Sequence, residues 1–518
     1  MRRRLDRLTS DKSDVAAAGV SVGSECAARQ LADGVVCVCN ATFCDEPGVP
    51  QPPPAGSLLH VLTSKAGARF QEQVVPFQEA GQAGDTEAVL SVNRSVRYQE
   101  VHGFGGAMTD AAGLNMASLS DAARENLLRA YFAPEGLHYN MARVPAAGTD
   151  FSTRTYSYDD VENDTSLQHF SLADEDLLYK IPYLQHAQDL RGEELLLVSA
   201  PWSAPTWMKT NGKFNGEGKL IREYWQLWAD YLLRFVEEYA SVGLPIWVLS
   251  AQNEPTDGNS DFWFNCMGWS ATEQRDWVAQ HLGPTLQAAA VQPPPDVLVI
   301  DDQRSMLDRW PQQILTNETV TQYAKFVGVH WYTDQFSPAS MLDDVHQLSP
   351  GTQILYTEAC NGLRDMGEVA VLLGSWERGE KYATSIIEVL NHWSTGWLDW
   401  NLALNTSGGP NWVNNNVDSP VIVNATADEF YKQPMFYVLG HFSRFVTRGS
   451  VRLQLDAQLP AAASLDSVAL ETPQGRTVLV LSNKATEEVS VRVRDPALGE
   501  ALLTLPANSV STLLYTSS

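Results

Sequence analysis

Eight short apolar runs alternate with helix-length segments through the middle of the chain, and this alternation restricts the fold more than any other feature. Segments with a helical apolar period, such as Glu223–Tyr239, separate the runs. Eight strands alternating with helices over about 300 residues predict a (β/α)8 TIM barrel of the α/β class. A doubly wound sheet is the alternative, but no G-x-G-x-x-G phosphate loop opens it. The runs span 103–110, 140–145, 195–202, 246–254, 297–302, 326–332, 354–358 and 398–404.

A second pattern follows the barrel region. Five runs alternate in polarity or are apolar between turns, and Pro473-Gln474-Gly475 is typical of a hairpin turn. They predict a small β-sandwich, completed by strands from 58–96, with the barrel inserted between its two halves. The five runs are 451–455, 467–471, 476–482, 489–494 and 509–515.

Four of the six cysteines lie close together near the N-terminus, at Cys26, Cys37, Cys39 and Cys44. A zinc site is one interpretation, but the cluster lacks paired C-x2-C units and a nearby histidine. Two small disulfides fit better and indicate an oxidising compartment. Six N-x-S/T sequons agree, and we expect glycosylation at Asn40, inside the cluster.

The chain carries a formal net charge of −26 at pH 7. This charge argues against a nucleic-acid partner, because phosphates would be repelled. It fits a compartment below neutral pH, although a generic acidic soluble protein explains it equally well. No run approaches about 18 apolar residues, so no membrane-spanning helix is predicted. A signal peptide is not evident, because acidic residues follow the basic start and 15–23 is only weakly apolar.

The predicted barrel strands end in polar or aromatic residues, which is where barrel enzymes collect their catalytic groups. Glu254 and Glu358 are three βα units apart, which places them on strands four and seven, facing each other across the barrel mouth. Glycoside hydrolysis requires such a pair, one proton donor and one carboxylate at the anomeric carbon. The other strand ends offer Asp110, Arg143, Trp202, Asn253, Asp301, Asp302, Gln303, His330, Trp331, Tyr332, Trp400 and Asn401.

The neighbouring residue types favour a sugar ligand. Tryptophans at 202, 331 and 400 offer flat apolar faces for a sugar ring, although fifteen tryptophans make a core role equally plausible for any one of them. Asp150, Asn253 and Asn401 offer hydrogen bonds to hydroxyl groups. A sugar-binding carrier without turnover and a structural glycoprotein are the non-enzyme alternatives. The presence of both glutamates argues against the carrier, and the polar strand ends would be needless in a structural glycoprotein.

Two other chemistries have weaker support. Asp301, Asp302 and His330 could bind a metal ion, but no H-E-x-x-H or similar spacing accompanies them, and we expect neither a metal nor another cofactor. Serine-nucleophile catalysis lacks a G-x-S-x-G elbow. We instead expect Asp301 or Asp302 to orient a neighbouring arginine or histidine, and His330 to hold one of the two glutamates.

These stretches together resemble the lysosomal glucosylceramidase family, acid β-glucosidases that release glucose from glucosylceramide. The resemblance covers nearly the whole chain from Cys26 onward, with its motifs in order. They are VCVCNATFC at 36–44, GFGGAMTDAA at 103–112, RVP at 143–145, SAPWSAPTWMKTNG at 199–212, NEP at 253–255, DDQR at 301–304, HWY at 330–332, TEAC at 357–360, DWNLALN at 399–405, GGPNWV at 408–413 and YKQPMFY at 431–437.

The resemblance implies a role for each matched residue. Glu254 is the expected acid/base and Glu358 the expected nucleophile of a retaining double displacement. Positions that touch glucose are Asp150, Trp202, Asn253, Trp400 and Asn415, and supporting residues are Arg143, His330 and Tyr332. The implied disulfides are Cys26–Cys37 and Cys39–Cys44, which leaves Cys266 and Cys360 free.

The resemblance also implies the domain organisation, the partners and the location. The expected parts are a small disulfide-bearing antiparallel β-domain (24–48 and 402–433), a β-sandwich (51–98 and 450–518) and the catalytic barrel (99–401 and 434–449). A glycosphingolipid substrate, an anionic lipid surface and a saposin-type activator are the expected partners, in the lysosomal lumen. The loop 256–264 departs from the family pattern, Gln252 stands where the family has Glu, and Asn414 and Asn416 are further departures.

Overall fold

Eight parallel strands close into a barrel in the computed structural model of the chain, which describes residues 24–81, 84, 86–460 and 463–517. Each strand pairs with the next in chain order, and the eighth pairs with the first. This confirms the predicted TIM barrel. The strands are β1 (Gly103–Ala107), β2 (Met141–Ala146), β3 (Leu196–Pro201), β4 (Ile246–Ser250), β5 (Asp296–Gln303), β6 (Ala324–His330), β7 (Gln353–Glu358) and β8 (Ser394–Asn401).

The barrel interior is filled with side chains from β2 to β8, because parallel barrel strands turn alternate residues inward. The strand β1 contributes glycines instead. A Cβ on Gly105 would lie 1.9 Å from the carbonyl oxygen of Met141, so the close approach of β1 to β2 excludes a side chain there. The buried interior cluster consists of Met141, Leu196, Val198, Val248, Leu298, Phe326, Leu355 and Leu398.

Helices surround the barrel and bury one face each against it. The helix Trp225–Ser241 shows the pattern, since Trp228, Leu232 and Phe235 are buried at helical spacing while its other face is polar. The α-helices span Asp110–Ala117, Asp121–Phe132, Ile181–Arg191, Trp225–Ser241, Ala271–Trp277, Gly283–Gln287, Trp310–Ile314, Glu318–Thr321, Ser340–Leu348, Trp376–Asn391 and Pro434–Ser443.

Three strand ends differ from the sequence prediction by three residues or more. The strand β1 stops at Ala107, and Thr109 caps a helix that begins at Asp110. The strand β4 stops at Ser250, so Asn253 and Glu254 lie in the turn after the strand, and Pro255 is not what ends the ladder. The strand β8 stops at Asn401 instead of continuing to 404. In each case the apolar run continues into a buried turn, which hydropathy alone does not distinguish from a strand.

A nine-stranded sheet forms the predicted β-sandwich beside the barrel. Gln78, two residues after the edge strand Gln71–Pro76, forms paired backbone hydrogen bonds of 2.7 and 2.8 Å with Glu500 of the other edge strand, so the sheet folds around its own core. The strand Gly499–Leu505 is additional to the sequence prediction. In spatial order the strands are Gly499–Leu505, Val489–Asp495, Ala88–Val101, Ser450–Gln458, Leu465–Glu471, Arg476–Asn483, Ser509–Thr516, Ser57–Ser64 and Gln71–Pro76.

A five-stranded sheet joins the cysteine-rich segment to the region after β8. Its strands, in spatial order, are Ala28–Gln30, Val35–Asn40, Glu429–Lys432, Val421–Asn424 and Leu404–Asn405. The last pair is parallel, which corrects the expectation of a purely antiparallel sheet. The disulfides Cys26–Cys37 and Cys39–Cys44 form as the resemblance implied, and Cys266 and Cys360 are free and buried.

Two further expectations concern targeting and membranes. The segment in which we sought a signal peptide, 1–23, lies outside the described residues. Within the described part of the chain, none of the helices combines the length and the apolar character needed to cross a bilayer.

Candidate active site

A cavity of about 300 Å³ opens at the carboxyl ends of the barrel strands. This is the end at which barrel enzymes place their catalytic groups. The cavity brings together most of the residues expected to bind or cleave a sugar. Those lining it are Asp150, Trp202, Glu254, Tyr332, Glu358, Trp400 and Asn415.

Glu254 is held in the turn after β4 by backbone and side-chain contacts. Its φ is +41°, and its N–H donates to the carbonyl oxygen of Asp301 at 2.9 Å. This left-handed conformation is strained for a non-glycine residue and turns the side chain toward the cavity. Oε1 accepts hydrogen bonds from Nδ1 of His330 at 2.9 Å and from Nε2 of Gln303 at 2.7 Å.

Glu358 is the last residue of β7 and is fixed by two donors. Its Oε2 accepts from Nη1 of Arg143, and its Oε1 accepts from the hydroxyl of Tyr332 at 2.8 Å. One carboxylate oxygen of Glu358 lies within 4.8 Å of one of Glu254. The two carboxyl groups therefore lie close together on opposite sides of the cavity.

Arg143, on β2, is completely buried and connects the two sides of the site. Its Nη2 donates to Oδ1 of Asn253 at 2.7 Å and to Oδ2 of Asp301 at 3.2 Å. The guanidinium lies 4.9 Å from the ring of Trp202 and 5.5 Å from that of Trp400. These two rings stack 5.1 Å apart, so they and the cation fix one another.

His330 lies between two carboxylates, as we expected of a residue that holds a catalytic glutamate. Its Nδ1 donates to Glu254, and its Nε2 faces Oδ1 of Asp301 at 3.3 Å. Burial opposes the charged imidazolium, yet the surrounding carboxylates, Glu358 first, raise the pKa of His330 to about 10. The ring is therefore a cation with both nitrogens protonated.

Asp257 is a third carboxyl group in the same cavity, and it is hydrogen-bonded to Glu254. Burial penalises the Glu254 carboxylate, but the hydrogen bond and charge of His330 hold its pKa below the ordinary value. Burial and the adjacent Glu254 raise the pKa of Asp257 far above its ordinary range. Asp257 and Glu254 therefore form a hydrogen-bonded carboxyl pair that titrates together.

The pKa of Glu358 is set by opposing effects. Burial raises it above the ordinary value, against the opposing effect of the His330 and Arg143 cations. We expected the acid and the nucleophile to have pKa values pushed apart, with that of Glu254 the higher. Glu254 shares a hydrogen bond with Asp257, so its proton belongs to that carboxyl pair, and the expected order relative to Glu358 stays a prediction.

Asp150 and Asn415 form the opposite rim of the cavity. Nδ2 of Asn415 donates to Oδ2 of Asp150 at 2.8 Å. Burial, followed by the negative charge of Glu358, raises the pKa of Asp150 to about 8. At mildly acidic pH this carboxyl is protonated and can both donate to and accept from a hydroxyl group.

Some candidate residues lie elsewhere. Asp110 pairs with the buried Lys180 at 3.3 Å, away from the cavity. Trp331 packs against Tyr382 and Trp397, and Asn401 accepts a hydrogen bond from Thr109. Successive residues along a strand direction point to opposite faces. Trp331 therefore points away from the face occupied by His330, and Asn401 points away from the face occupied by Trp400.

Two further residues contact Glu254: Gln303, which the sequence analysis named only as a strand-end residue, and Asp257, which it did not name. Gln303 is the last residue of β5, and Asp257 begins a short 3-10 turn three residues after Glu254. The signal for Gln303 was its place in a polar strand end. No sequence signal marked Asp257, because only the turn at Glu254 brings the two carboxyl groups together.

Within the described residues, two groups of side chains have the spacing of metal ligands. One consists of Cys39, Cys44 and Asp45, but the two cysteines form a disulfide. The other consists of Glu254, His330 and Glu358. Nδ1 of His330 lies 2.9 Å from Oε1 of Glu254 and Nε2 lies 3.3 Å from Oδ1 of Asp301, so both ring nitrogens are in hydrogen-bond contact with carboxylates and neither offers a free lone pair to an ion. This donor set does not fit a metal ion.

Comparison with known proteins gives the family. The chain matches the Glycosyl hydrolase family 30 TIM-barrel domain over residues 101–446 and the Glycosyl hydrolase family 30 beta sandwich domain over residues 449–513. It is 42% identical to the lysosomal acid glucosylceramidase of Mus musculus, over 93% of each chain. It is 41% identical to putative glucosylceramidase 3 of Caenorhabditis elegans, over 93% of this chain and 92% of that protein.

A solved structure supports the same conclusion. SrfJ from Salmonella typhimurium is similar with a TM-score of 0.82 at 28% identity, covering 89% of this chain and 100% of that chain. The barrel and the sandwich therefore occur together in a known protein. Because the family match spans most of the chain and the relatives are similar over nearly their whole length, the chain belongs to glycosyl hydrolase family 30 and is a glycoside hydrolase.

Proposed function

We propose that the protein is a retaining β-glucosidase that hydrolyses glucosylceramide to glucose and ceramide at a membrane surface. The observation that carries the proposal is the spacing of the two glutamates, whose nearest oxygens lie within 4.8 Å. Retaining glycosidases hold their carboxyl groups about 5–5.5 Å apart, whereas inverting ones need about 6.5–9.5 Å for a water molecule. The short distance between the nearest oxygens supports the retaining arrangement.

The contacts of each glutamate support different roles. Two donors, Arg143 and Tyr332, favour the ionised form of Glu358, which attacks C1 of the glucose. Glu254 delivers a proton to the glycosidic oxygen as the bond to ceramide breaks. Glu254 then removes a proton from water, which attacks C1 and releases glucose from Glu358 with the original configuration.

The lining of the cavity supports glucose as the sugar. The Asp150–Asn415 pair offers polar atoms on one side, and the stacked Trp202 and Trp400 offer an apolar wall. A site built to pair with hydroxyl groups rejects sugars that leave a buried group unpaired. The similarity to proteins named glucosylceramidase adds the lipid part of the substrate to the proposal.

Exposed apolar side chains around the cavity support work at a lipid surface. Phe336 is 75% exposed, Met366 46% and Val369 64%, and all three lie in loops after β6 and β7, at the mouth of the barrel. Such residues suit contact with an anionic membrane or with a saposin-type activator protein. Protonation of carboxyl groups at low pH would reduce the repulsion between this acidic chain and anionic lipid.

The lysosomal lumen is the proposed location. Two disulfides and six sequons, with Asn40 as the predicted glycan site, fit a secretory route. The net charge of −26 fits an acidic lumen. The relative from Mus musculus is named as lysosomal.

The test is hydrolysis of glucosylceramide in vesicles with and without an anionic phospholipid, at mildly acidic pH. We expect ceramide and glucose to form faster on anionic vesicles, with β-glucose as the first anomer seen by proton NMR. Glu358→Gln serves as the inactive control. First release of α-glucose would contradict retention. Turnover of aryl xylosides or galactosides without turnover of glucosylceramide would contradict the substrate.

A further inference from the structure

Asp257 places a third carboxyl group beside Glu254, next to the two glutamates of the proposed reaction. Asp257 opens the 3-10 turn Asp257–Asn259, and its N–H donates to the carbonyl oxygen of Glu254 at 3.1 Å. Its side chain lines the cavity that contains both glutamates and hydrogen-bonds to the carboxyl group of Glu254. Asp257 lies in the loop 256–264.

Two carboxyl groups in hydrogen-bond contact must share a proton, because two carboxylates offer only acceptors and repel each other. The surroundings favour one shared proton, not two. His330 and Arg143 are cations close to Glu254, which stabilises one negative charge on the pair. The other titratable groups near the pair are Asp302, Glu358 and Cys266, and Asp261 lies exposed in the same loop.

We propose that Asp257 is a positioning residue for the acid/base: it shares a proton with Glu254 and keeps that proton in the site until the leaving group takes it. The proposal rests on the proposed function, in which Glu254 is the acid/base. Without Asp257, Glu254 would be left with the hydrogen bonds of His330 and Gln303, which favour its ionised form.

The proton balance is closed over one turnover. In the first step Glu358 forms a bond to C1, the bond from C1 to the leaving oxygen breaks, and the shared proton moves through Glu254 to that oxygen. The pair is then doubly negative beside His330 and Arg143, while Glu358 is a neutral ester. In the second step water gives one proton back to the pair, its oxygen bonds to C1, and Glu358 leaves as a carboxylate.

The test compares kcat/KM across pH 4–8 for octyl β-glucoside, which needs a proton donor, and 2,4-dinitrophenyl β-glucoside, which does not. For the octyl substrate we expect Asp257→Ala to move the alkaline limb about one pH unit or more toward acid. The isosteric change Asp257→Asn should move the alkaline limb at least as far. Its amide donates to the Glu254 carboxylate, which favours the ionised form and lowers the pKa of Glu254. Asp257→Glu should restore part of the shift. The dinitrophenyl profile should not change.

Asp261→Ala is the matched control, because it removes an exposed carboxyl group from the same loop and should leave both profiles unchanged. Unchanged octyl profiles for Asp257→Ala and Asp257→Asn, in variants that a cyclitol epoxide still labels at Glu358, would overturn the proposal. If the wild-type protein neither hydrolyses the glucosides nor takes the label, the proposed function fails and the Asp257 proposal fails with it.

Discussion

Removing the hydroxyl of Tyr332 tests how the site keeps Glu358 ionised. Burial raises the pKa of Tyr332 well above its ordinary value, so the hydroxyl keeps its proton and donates to Oε1 of Glu358 at 2.8 Å. Glu358 is only 5% exposed, so water does not easily replace this donor in Tyr332→Phe. A hydrogen bond to a charged group contributes about 1.5–3 kcal/mol.

That free energy converts into a shift of the pH profile. One pKa unit corresponds to about 1.4 kcal/mol, so losing the donor should raise the pKa of Glu358 by about one to two units. Because the proposed nucleophile must be ionised, the acidic limb of kcat/KM should move to higher pH by the same amount. The assay is the hydrolysis of an aryl β-glucoside from pH 3 to pH 8 by the folded variant.

The matched control is Tyr437→Phe. Tyr437 also donates to a buried carboxylate, Oδ2 of Asp45, at 2.7 Å, but far from the cavity. Its removal should lower stability and leave the pH profile unchanged. An acidic limb of Tyr332→Phe that stays in place, or moves toward lower pH, would refute the reasoning that Tyr332 stabilises the nucleophile in its ionised form.

Three further predictions follow from the same contacts. Glu254→Gln should lower kcat/KM for alkyl glucosides by about 10²–10⁴-fold while sparing dinitrophenyl glucoside, as measured by steady-state kinetics. Lys432→Met should cost about 3–5 kcal/mol in urea denaturation, because it leaves Asp45, 2.7 Å away and buried, without its cation; an unchanged midpoint would contradict this. Asp150→Asn should flatten the pH dependence of the free energy of unfolding. In the folded protein the pKa of Asp150 is raised to about 8, so the wild-type protein loses stability as the pH rises from about 4 to 8, and the variant lacks this loss. Calorimetry at pH 5 and pH 8 measures the difference.

The barrel could be predicted because its physical cause lies in local sequence. Buried parallel strands require continuous apolar runs, and the helices between them require a 3.6-residue period. The strand Gly499–Leu505 was missed because Leu502 and Thr504 face solvent and its short apolar pattern follows directly on a turn. Charge and hydropathy alone do not distinguish such an edge strand from a loop.

The site could be predicted in part for a similar reason. Glu254 and Glu358 each follow an apolar run of the sequence, where a carboxyl group stands out. Glu358 ends β7, and Glu254 lies in the turn after β4. The contact of Asp257 with Glu254 could not be predicted, because it depends on the positive φ of Glu254. A glutamate in the sequence does not indicate a left-handed backbone conformation. The outward direction of Trp331 was in principle predictable, since it follows His330 by one residue and strands alternate their faces.

Covalent labelling tests the central claim most directly. The folded protein is treated at mildly acidic pH with a glucose-configured cyclitol epoxide, and the adduct is located by peptide mass spectrometry. We predict a single adduct on Glu358, which would establish a working nucleophile, a retaining mechanism and recognition of the glucose configuration together. An adduct on Glu254 or another carboxyl group would contradict the assignment of roles, and a folded protein without any adduct would contradict the proposed glucosidase.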